Sequence, residues 1–276
     1  MFPGATASTE TNGSYTIIGA PLERSVSFIP GTRFGPRTIR HYATGFEDYD
    51  HRTGQHFTDL AVTDAGDLHA WNDAAEYLDF LTKEVQDVVE TGALPLLLGG
   101  EHTVTTAGVR ATAPSLLVCI DAHLDLREQF DGDRWSHSTV MHHVKEDVEE
   151  IVIIGARAGA AAEWDLVDEQ QSITTIGPAA SPDWIEESLQ SVISDHAVYL
   201  SIDIDGIDPG FAPATGTREP FGLSPPTVRR IIDSVAPSTV GFDIVEVSDT
   251  DSGQTATLAA KLLREFVFQH ATHHAP

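Results

Sequence analysis

The chain has 276 residues, enough to bury a large core in one or two domains. Its 42 Asp and Glu against 16 Lys and Arg give a formal net charge of -26; so negative a field repels nucleic acid and anionic membrane, and neither is expected as a partner. An acidic surface whose lysines are Lys83, Lys145 and Lys261 alone suits a salt-rich, halophilic cytoplasm, where dense counterions screen self-repulsion.

The first residues lack the basic start and apolar core of a signal peptide, and no apolar run approaches the ~18 residues needed to span a bilayer, so a cytoplasmic protein is expected. Residues 1–13 are small and polar and predict a flexible N-terminal segment, with 14–276 as one domain. Strands are predicted in order at Tyr15–Gly19, Leu60–Asp64, Leu94–Leu98, Leu116–Asp121, Ile151–Gly155, Ile173–Ile176, Val198–Asp203 and Thr239–Val245. Helical stretches fall between most of them, notably Trp71–Glu90, where Ala75, Leu78, Leu81, Val85 and Val88 recur at helical spacing. That alternation predicts an α/β fold with a mostly parallel sheet of about eight strands, covered on both faces. Gly155-Ala-Arg-Ala-Gly159 lacks the Gly-Lys-Ser/Thr of a phosphate loop and reads as a strand-to-helix turn. The single Cys119 excludes an intramolecular disulfide and reads as inert core.

Three apolar strands end in chemistry. Leu94–Leu98 runs into Gly99-Gly100-Glu101-His102, Leu116–Ile120 into Asp121-Ala-His123-Leu-Asp125, and Val198–Ile202 into Asp203-Ile-Asp205. Residues two apart in extended chain point the same way, so each alternation aims its polar groups at one spot past the strand end. If the strands are parallel neighbours, these groups meet in the crevice where open α/β sheets bind ligands. Four carboxylates in contact cannot all stay ionised unless cations lie among them, and four negative charges match two divalent ions. A donor set of oxygens with two imidazoles suits Mn²⁺ better than structural zinc, with nickel, cobalt or iron left open.

With these stretches in hand the sequence resembles the ureohydrolase family of arginases and agmatinases, over roughly Tyr15 to Phe268, and is most similar to the agmatinases. The marks are Gly99-Gly-Glu-His-Thr103, Asp121-Ala-His-Leu-Asp125, Ser201-Ile-Asp-Ile-Asp-Gly-Ile-Asp-Pro209 and Gly241-Phe-Asp-Ile-Val-Glu-Val247, with Ile18–Pro21 and Pro30–Pro36 resembling the family's opening. The resemblance implies a three-layer αβα fold, two Mn²⁺ per subunit, a trimer or hexamer, and hydrolysis of a small cationic guanidino substrate to urea and an amine. Agmatine cleaved to putrescine, a step of polyamine metabolism, is the first expectation; a guanidino acid, arginine or formiminoglutamate is the alternative. Carried over by position, one metal takes His102, Asp121, Asp125 and Asp203, and the other His123, Asp121, Asp203 and Asp205. Glu246 would hold the guanidinium, His137 would shuttle protons, and Asp125 would relay one to the leaving amine. Asp208 is expected as a turn residue, Asp243 as a support of backbone near the site, and His142 and His143 as structural.

In the loop Leu126–Trp135, Glu128, Asp131 and Asp133 would favour a substrate ending in a free amine. Ala214, Arg218 and Phe221 depart from the family's glycine- and proline-rich loop and raise the expectation of an altered pocket. Two further readings remain. A single-zinc deacetylase of related fold shares Asp-x-His but has no use for His102, Asp125 and Asp205, and a degenerate paralogue would not need all the ligands.

Overall fold

A computed structural model describes residues 1–7, 13–180 and 182–274. Its centre is a nine-stranded, wholly parallel sheet. In chain order the strands are β1 (Thr6–Ala7), β2 (Tyr15–Ala20), β5 (Val62–Asp67), β6 (Leu94–Gly99), β7 (Leu116–Ile120), β8 (Glu150–Ile154), β9 (Ile173–Ile176), β10 (Val198–Asp203) and β11 (Thr239–Val245). Across the sheet they run β1-β5-β2-β6-β11-β10-β7-β8-β9. A two-stranded antiparallel ribbon, β3 (Tyr49–Asp50) with β4 (Gln55–His56), stands apart.

Helices cover both faces, because strands buried on each side leave two apolar surfaces to fill. On one face lie α1 (Gly35–Tyr42), α6 (Pro182–Ile193), α7 (Pro225–Val235) and α8 (Gln254–His274), packed on Val118, Ile120, Leu200, Ile202, Phe242 and Ile244. On the other lie α2 (Ala74–Glu90), α3 (Thr105–Thr112), α4 (Val140–Val144) and α5 (Ala161–Glu169), packed on Leu97, Leu117, Ile153, Tyr199 and Val245. The expected αβα layering is thus observed. No helix among the described residues is long and apolar enough to cross a membrane.

The strand predictions need two adjustments. The stretch predicted as Leu60–Asp64 begins at Val62, since Ala61 takes φ 51, a left-handed backbone no strand continues through. Residues 1–7, expected to be flexible, are docked: Phe2 is fully buried against Phe57 and Thr6–Ala7 pairs with Thr63–Asp64 as an edge strand. The rest of the predicted flexible segment, 8–12, lies outside the described residues. The predicted helix from Trp71 starts instead at Ala74, where the Asp73 side chain accepts the Glu76 N–H as an N-cap.

Candidate metal centre and active site

The four central strands β6, β11, β10 and β7 are neighbours, and the expected ligands leave their carboxyl ends. His102 opens the 3-10 turn after β6, Asp121, His123 and Asp125 follow β7, Asp203 and Asp205 close β10, and Glu246 follows β11. All eight site residues predicted from the sequence come from this edge or from the loop beside it, where His137 stands. His102 and the four aspartates are buried, while the His123 side chain retains 24% exposure.

His102 Nδ1 lies 3.2 Å from Asp121 Oδ2, 3.0 Å from Asp125 Oδ2 and 3.4 Å from Asp203 Oδ2. Its other nitrogen, Nε2, faces Ser201 Oγ at 3.3 Å. Ser201 donates its one hydrogen to Asp243 Oδ1 at 2.7 Å, so toward His102 it can only accept. Nε2 therefore carries a ring proton, and in the neutral ring Nδ1 presents a lone pair to three carboxylates, an arrangement that a dication satisfies. His123 mirrors it, with Nδ1 3.1 Å from Asp205 Oδ2 and 3.6 Å from Asp121 Oδ1 while Nε2 faces Glu219 Oε1 at 3.9 Å. Asp121 stands between the two imidazoles, and its buried Oδ2 has no hydrogen-bond partner. Three of the four carboxylates are aimed by backbone: Asp121 Oδ1 accepts His123 N, Asp203 Oδ1 accepts Asp205 N, and Asp205 Oδ1 accepts Ala122 N.

Crowding shows in the acidities. Burial and the Asp121 charge push Asp125 up to about 7. Burial, Asp205 and Asp121 hold Asp203 well above the ordinary carboxylate range. For Asp121 burial acts upward too, but the two imidazoles beside it, His102 and His123, outweigh it and keep the group low. Carboxylates this expensive to ionise side by side, facing imidazole lone pairs, fit a pair of divalent cations. Cys119 does not join the set. Its sulfur sits 3.7 Å from His102 Nε2, the side turned away from the carboxylates, and burial pushes the thiol up to about 12.

Two of the expected site residues sit in left-handed backbone, Asp125 at φ 49 and Glu246 at φ 61. Side chains rarely adopt that conformation, and here the surroundings enforce it: Asp125 O accepts Met141 N, and Glu246 N donates to Gly100 O. Glu246 Oε1 accepts His102 N at 2.7 Å, which leaves Oε2 open toward the cavity. Burial pushes Glu246 up to about 8.

A cavity of about 340 Å³ opens over this centre. Its wall includes Asp125, Asp203, Asp205 and Glu246 from the site, with Glu163 and Glu219 beyond it, and among the described residues the one Arg or Lys in the wall is Arg127. Arg127 Nε meets Glu163 Oε2 at 3.2 Å, and its guanidinium lies 5.2 Å from the Phe130 ring centre. Of the loop 126–135, then, Arg127 and Phe130 line the cavity, whereas the expected Glu128, Asp131 and Asp133 do not; Asp133 turns outward to pair with Arg24. The family departures also lie off the wall. Ala214 is buried behind it, Arg218 Nε donates to Pro213 O, and Phe221 is 87% exposed, while Thr217 and Glu219 form the lining.

His137 lies at the cavity rim, its ring held by Ser25 and Ser27, and burial lowers its basicity. Asp243 supports side chains rather than backbone, taking hydrogens from Ser201 Oγ and Tyr199 Oη. Asp208 accepts Gly210 N and Gly222 N as a turn residue should. His143 donates to or accepts at no ligand; it stacks on Trp135 at 4.0 Å and reaches Arg134 O. Sequence reasoning missed Arg157, within the supposed plain turn after β8. Its guanidinium donates to Asp205 O, Gly206 O, Gly155 O and Glu219 O, tying the β10 ligand loop to the cavity wall. An arginine beside a glycine pair was the one signal available.

Comparison with known proteins places the geometry. The sequence profile described as the arginase family matches residues 14–269. An agmatinase of Bacillus anthracis is 34% identical over 91% of this chain and 90% of its own length, and a guanidinobutyrase of Pseudomonas aeruginosa 36% identical over 91% and 84%. The solved agmatine ureohydrolase of Thermoplasma volcanium superposes with TM-score 0.89 at 33% identity, covering 96% of this chain and 92% of that one. Matching the profile over residues 14–269 and the agmatinase over about nine-tenths of both chains, this chain belongs to the arginase family.

Proposed function

We propose that the protein hydrolyses a guanidino group to urea and an amine, with agmatine giving putrescine as its reaction. The observation that carries this is the convergence of two imidazole Nδ1 atoms and four buried aspartates at the floor of a cavity whose wall adds Glu163, Glu219 and Glu246. Such a wall draws a substrate cationic at both ends.

His102, Asp121, Asp125 and Asp203 would hold one divalent cation, and His123, Asp121, Asp203 and Asp205 a second, Mn²⁺ by preference for an oxygen-rich set. A bound pair supplies Lewis-acid activation of water, making a nucleophile available near neutral pH. The protein does the rest. Glu246, fixed by His102 N, directs its open oxygen to accept guanidinium N–H bonds and so orients the electrophilic carbon over the floor. Asp125, beside His102 Nδ1, is placed to take a proton from water and pass it to the departing nitrogen. His137 exchanges protons between the cavity and solvent. Glu219 and Glu163 would face the distal ammonium of agmatine.

Arg127 favours a second reading, because half-exposed in the wall it could receive a carboxylate tail, as of a guanidino acid. Its pairing with Glu163 cancels most of that pull. We infer further a cytoplasmic, salt-tolerant enzyme of polyamine metabolism, acting as a homo-oligomer with residues 14–276 as one unit, in keeping with the acidic composition and family membership.

The test is urea release from agmatine, 4-guanidinobutyrate and arginine, with formamide followed for formiminoglutamate, on Mn²⁺-loaded protein at several salt concentrations. Agmatine should lead in kcat/KM by about tenfold or more, the factor that one charged contact provides. A lead for guanidinobutyrate transfers the assignment to the second reading. Absence of turnover throughout, or one zinc per chain in place of two metals, overturns both.

A further inference from the structure

We infer that Ser25 and Ser27 form a positioning clamp that fixes the tautomer of His137 and aims its Nε2 into the reaction cavity; the inference rests on reading His137 as the proton carrier. His137 Nδ1 lies 3.0 Å from Ser25 Oγ, and Nε2 lies 2.6 Å from Ser27 Oγ. Ser136 Oγ stands farther off, 3.4 Å from Nδ1. Ser25 donates its hydroxyl hydrogen to Glu101 Oε1 at 3.0 Å and accepts the His137 backbone N–H at 2.9 Å. A hydroxyl has one hydrogen to give, so Ser25 can only accept at Nδ1, and Nδ1 carries the ring proton.

Nε2 is then the bare, basic nitrogen of the neutral ring, and the Ser27 hydroxyl donates to it. When Nε2 takes up a proton the same oxygen accepts, its own hydrogen turning to another acceptor. A hydroxyl therefore holds the ring in both charge states, which a methyl group cannot. Ser27 also lines the cavity together with His137 and Glu246, so its hydroxyl meets Nε2 at the cavity wall.

The segment bearing the serines is itself anchored at both ends. Buried Glu101 takes the N–H groups of Arg24 and Ser25 on Oε2 at 2.5 and 2.7 Å, and Glu23 takes those of Gly31 and Arg33 on its own Oε2 at 2.5 and 3.2 Å. Each carboxylate gives its Oε2 to this one stretch of backbone. Rigidity of that kind has a purpose if the two hydroxyls must hold a ring that would otherwise turn freely at the rim.

The test uses steady-state urea release by the Mn²⁺-loaded full chain, with the best substrate of the panel and with metal content per chain as control. Ser27 is exposed, so its variants should fold normally. His137→Asn should lower kcat by about 100-fold, the usual worth of a general acid or base. Ser27→Ala should lower kcat about 10-fold with KM and metal content little changed, and Ser27→Thr should restore most of it. Placed in the His137→Asn background, Ser27→Ala should cost nothing further, since no carrier is left to position. A normal kcat in Ser27→Ala, failure of Thr to rescue, or an undiminished loss in the His137→Asn background overturns the clamp. A normal kcat in His137→Asn overturns the carrier reading and the clamp with it.

Discussion

Asp121 gives one oxygen to each imidazole, Oδ2 toward His102 and Oδ1 toward His123, so its removal is not the loss of one contact. Asp121→Ala strips a ligand from both halves of the centre and leaves three crowded carboxylates with less cation to balance them. Metal content and urea release should fall together, metal to near zero by elemental analysis; urea output close to the parent's would remove the two-cation centre from consideration. Glu246→Gln should separate the two properties. Glutamine keeps an acceptor for His102 N, so metals stay, but it brings an uncharged amide to a cationic substrate, and kcat/KM should drop by about 100-fold. The contrast also explains what could be read in advance. Every proposed ligand follows an apolar run within a few residues, so the chain itself announces it. Ser27 and His137 belong to two loops 110 positions apart, and nothing local pairs them. Arg157 acts through backbone carbonyls, which leave no trace in residue type.

Helix α3 lies against β10 at a contact that glycine alone permits. A Cβ on Gly108 would stand 2.0 Å from Tyr199 Oη, the hydroxyl that donates to Asp243 behind His102. Alanine gains about 1 kcal/mol in helix propensity, whereas forcing an extra carbon into a full core costs about 1–3 kcal/mol. The clash should win: Gly108→Ala should lower the Tm and, by displacing Tyr199 from Asp243, weaken metal retention as well. A rise in Tm would show that Tyr199 yields freely. On the interior strand β2, Tyr15 Oη bonds Nδ1 of His270 of α8 at 2.8 Å, and His270 stacks on His274 at 4.1 Å. Burial, then the His274 charge, holds His270 down to about 4. The unfolded chain, with a histidine near 6.5, binds the proton first as pH falls. Stability is therefore whole above pH 6.5 and declines toward pH 4, by up to about 3 kcal/mol from this group. His270→Phe should flatten that limb in urea titrations at pH 7 and pH 5; an unchanged slope assigns the acid loss elsewhere. The long strands were legible because burial on both faces writes a continuous apolar run. The edge strand Thr6–Ala7 and the ribbon Tyr49–His56 were not, being two-residue pairings whose partners come from distant or irregular chain.

Net charge belongs to no single residue or element. At -26 the folded chain repels itself, and several of its positive charges are each shared between two carboxylates: Arg40 by Asp64 and Asp67, Arg52 by Asp233 and Glu265, Arg230 by Asp183 and Glu186. Those pairs answer a small share of the 42 acidic groups, and the remainder can be relieved only by solution ions. The screening length falls from about 10 Å at 0.1 M salt to about 3 Å at 1 M, shorter than the spacing of most surface carboxylates. Tm should therefore climb steeply between 0.1 and about 1 M KCl and level off beyond, because repulsion once screened cannot be screened again. A steady rise that continues in proportion to salt would indicate exclusion of the salt from the surface instead, and a flat profile would mean that self-repulsion costs this fold little. The proposed metal centre should be the least responsive part, since its four carboxylates are buried and would be answered by cations at contact distance, where bulk ions do not reach. Metal retention measured across the same series should stay level while Tm rises; parallel loss of both at low salt would mean that the surface field, and not the ligand set, decides whether the centre assembles.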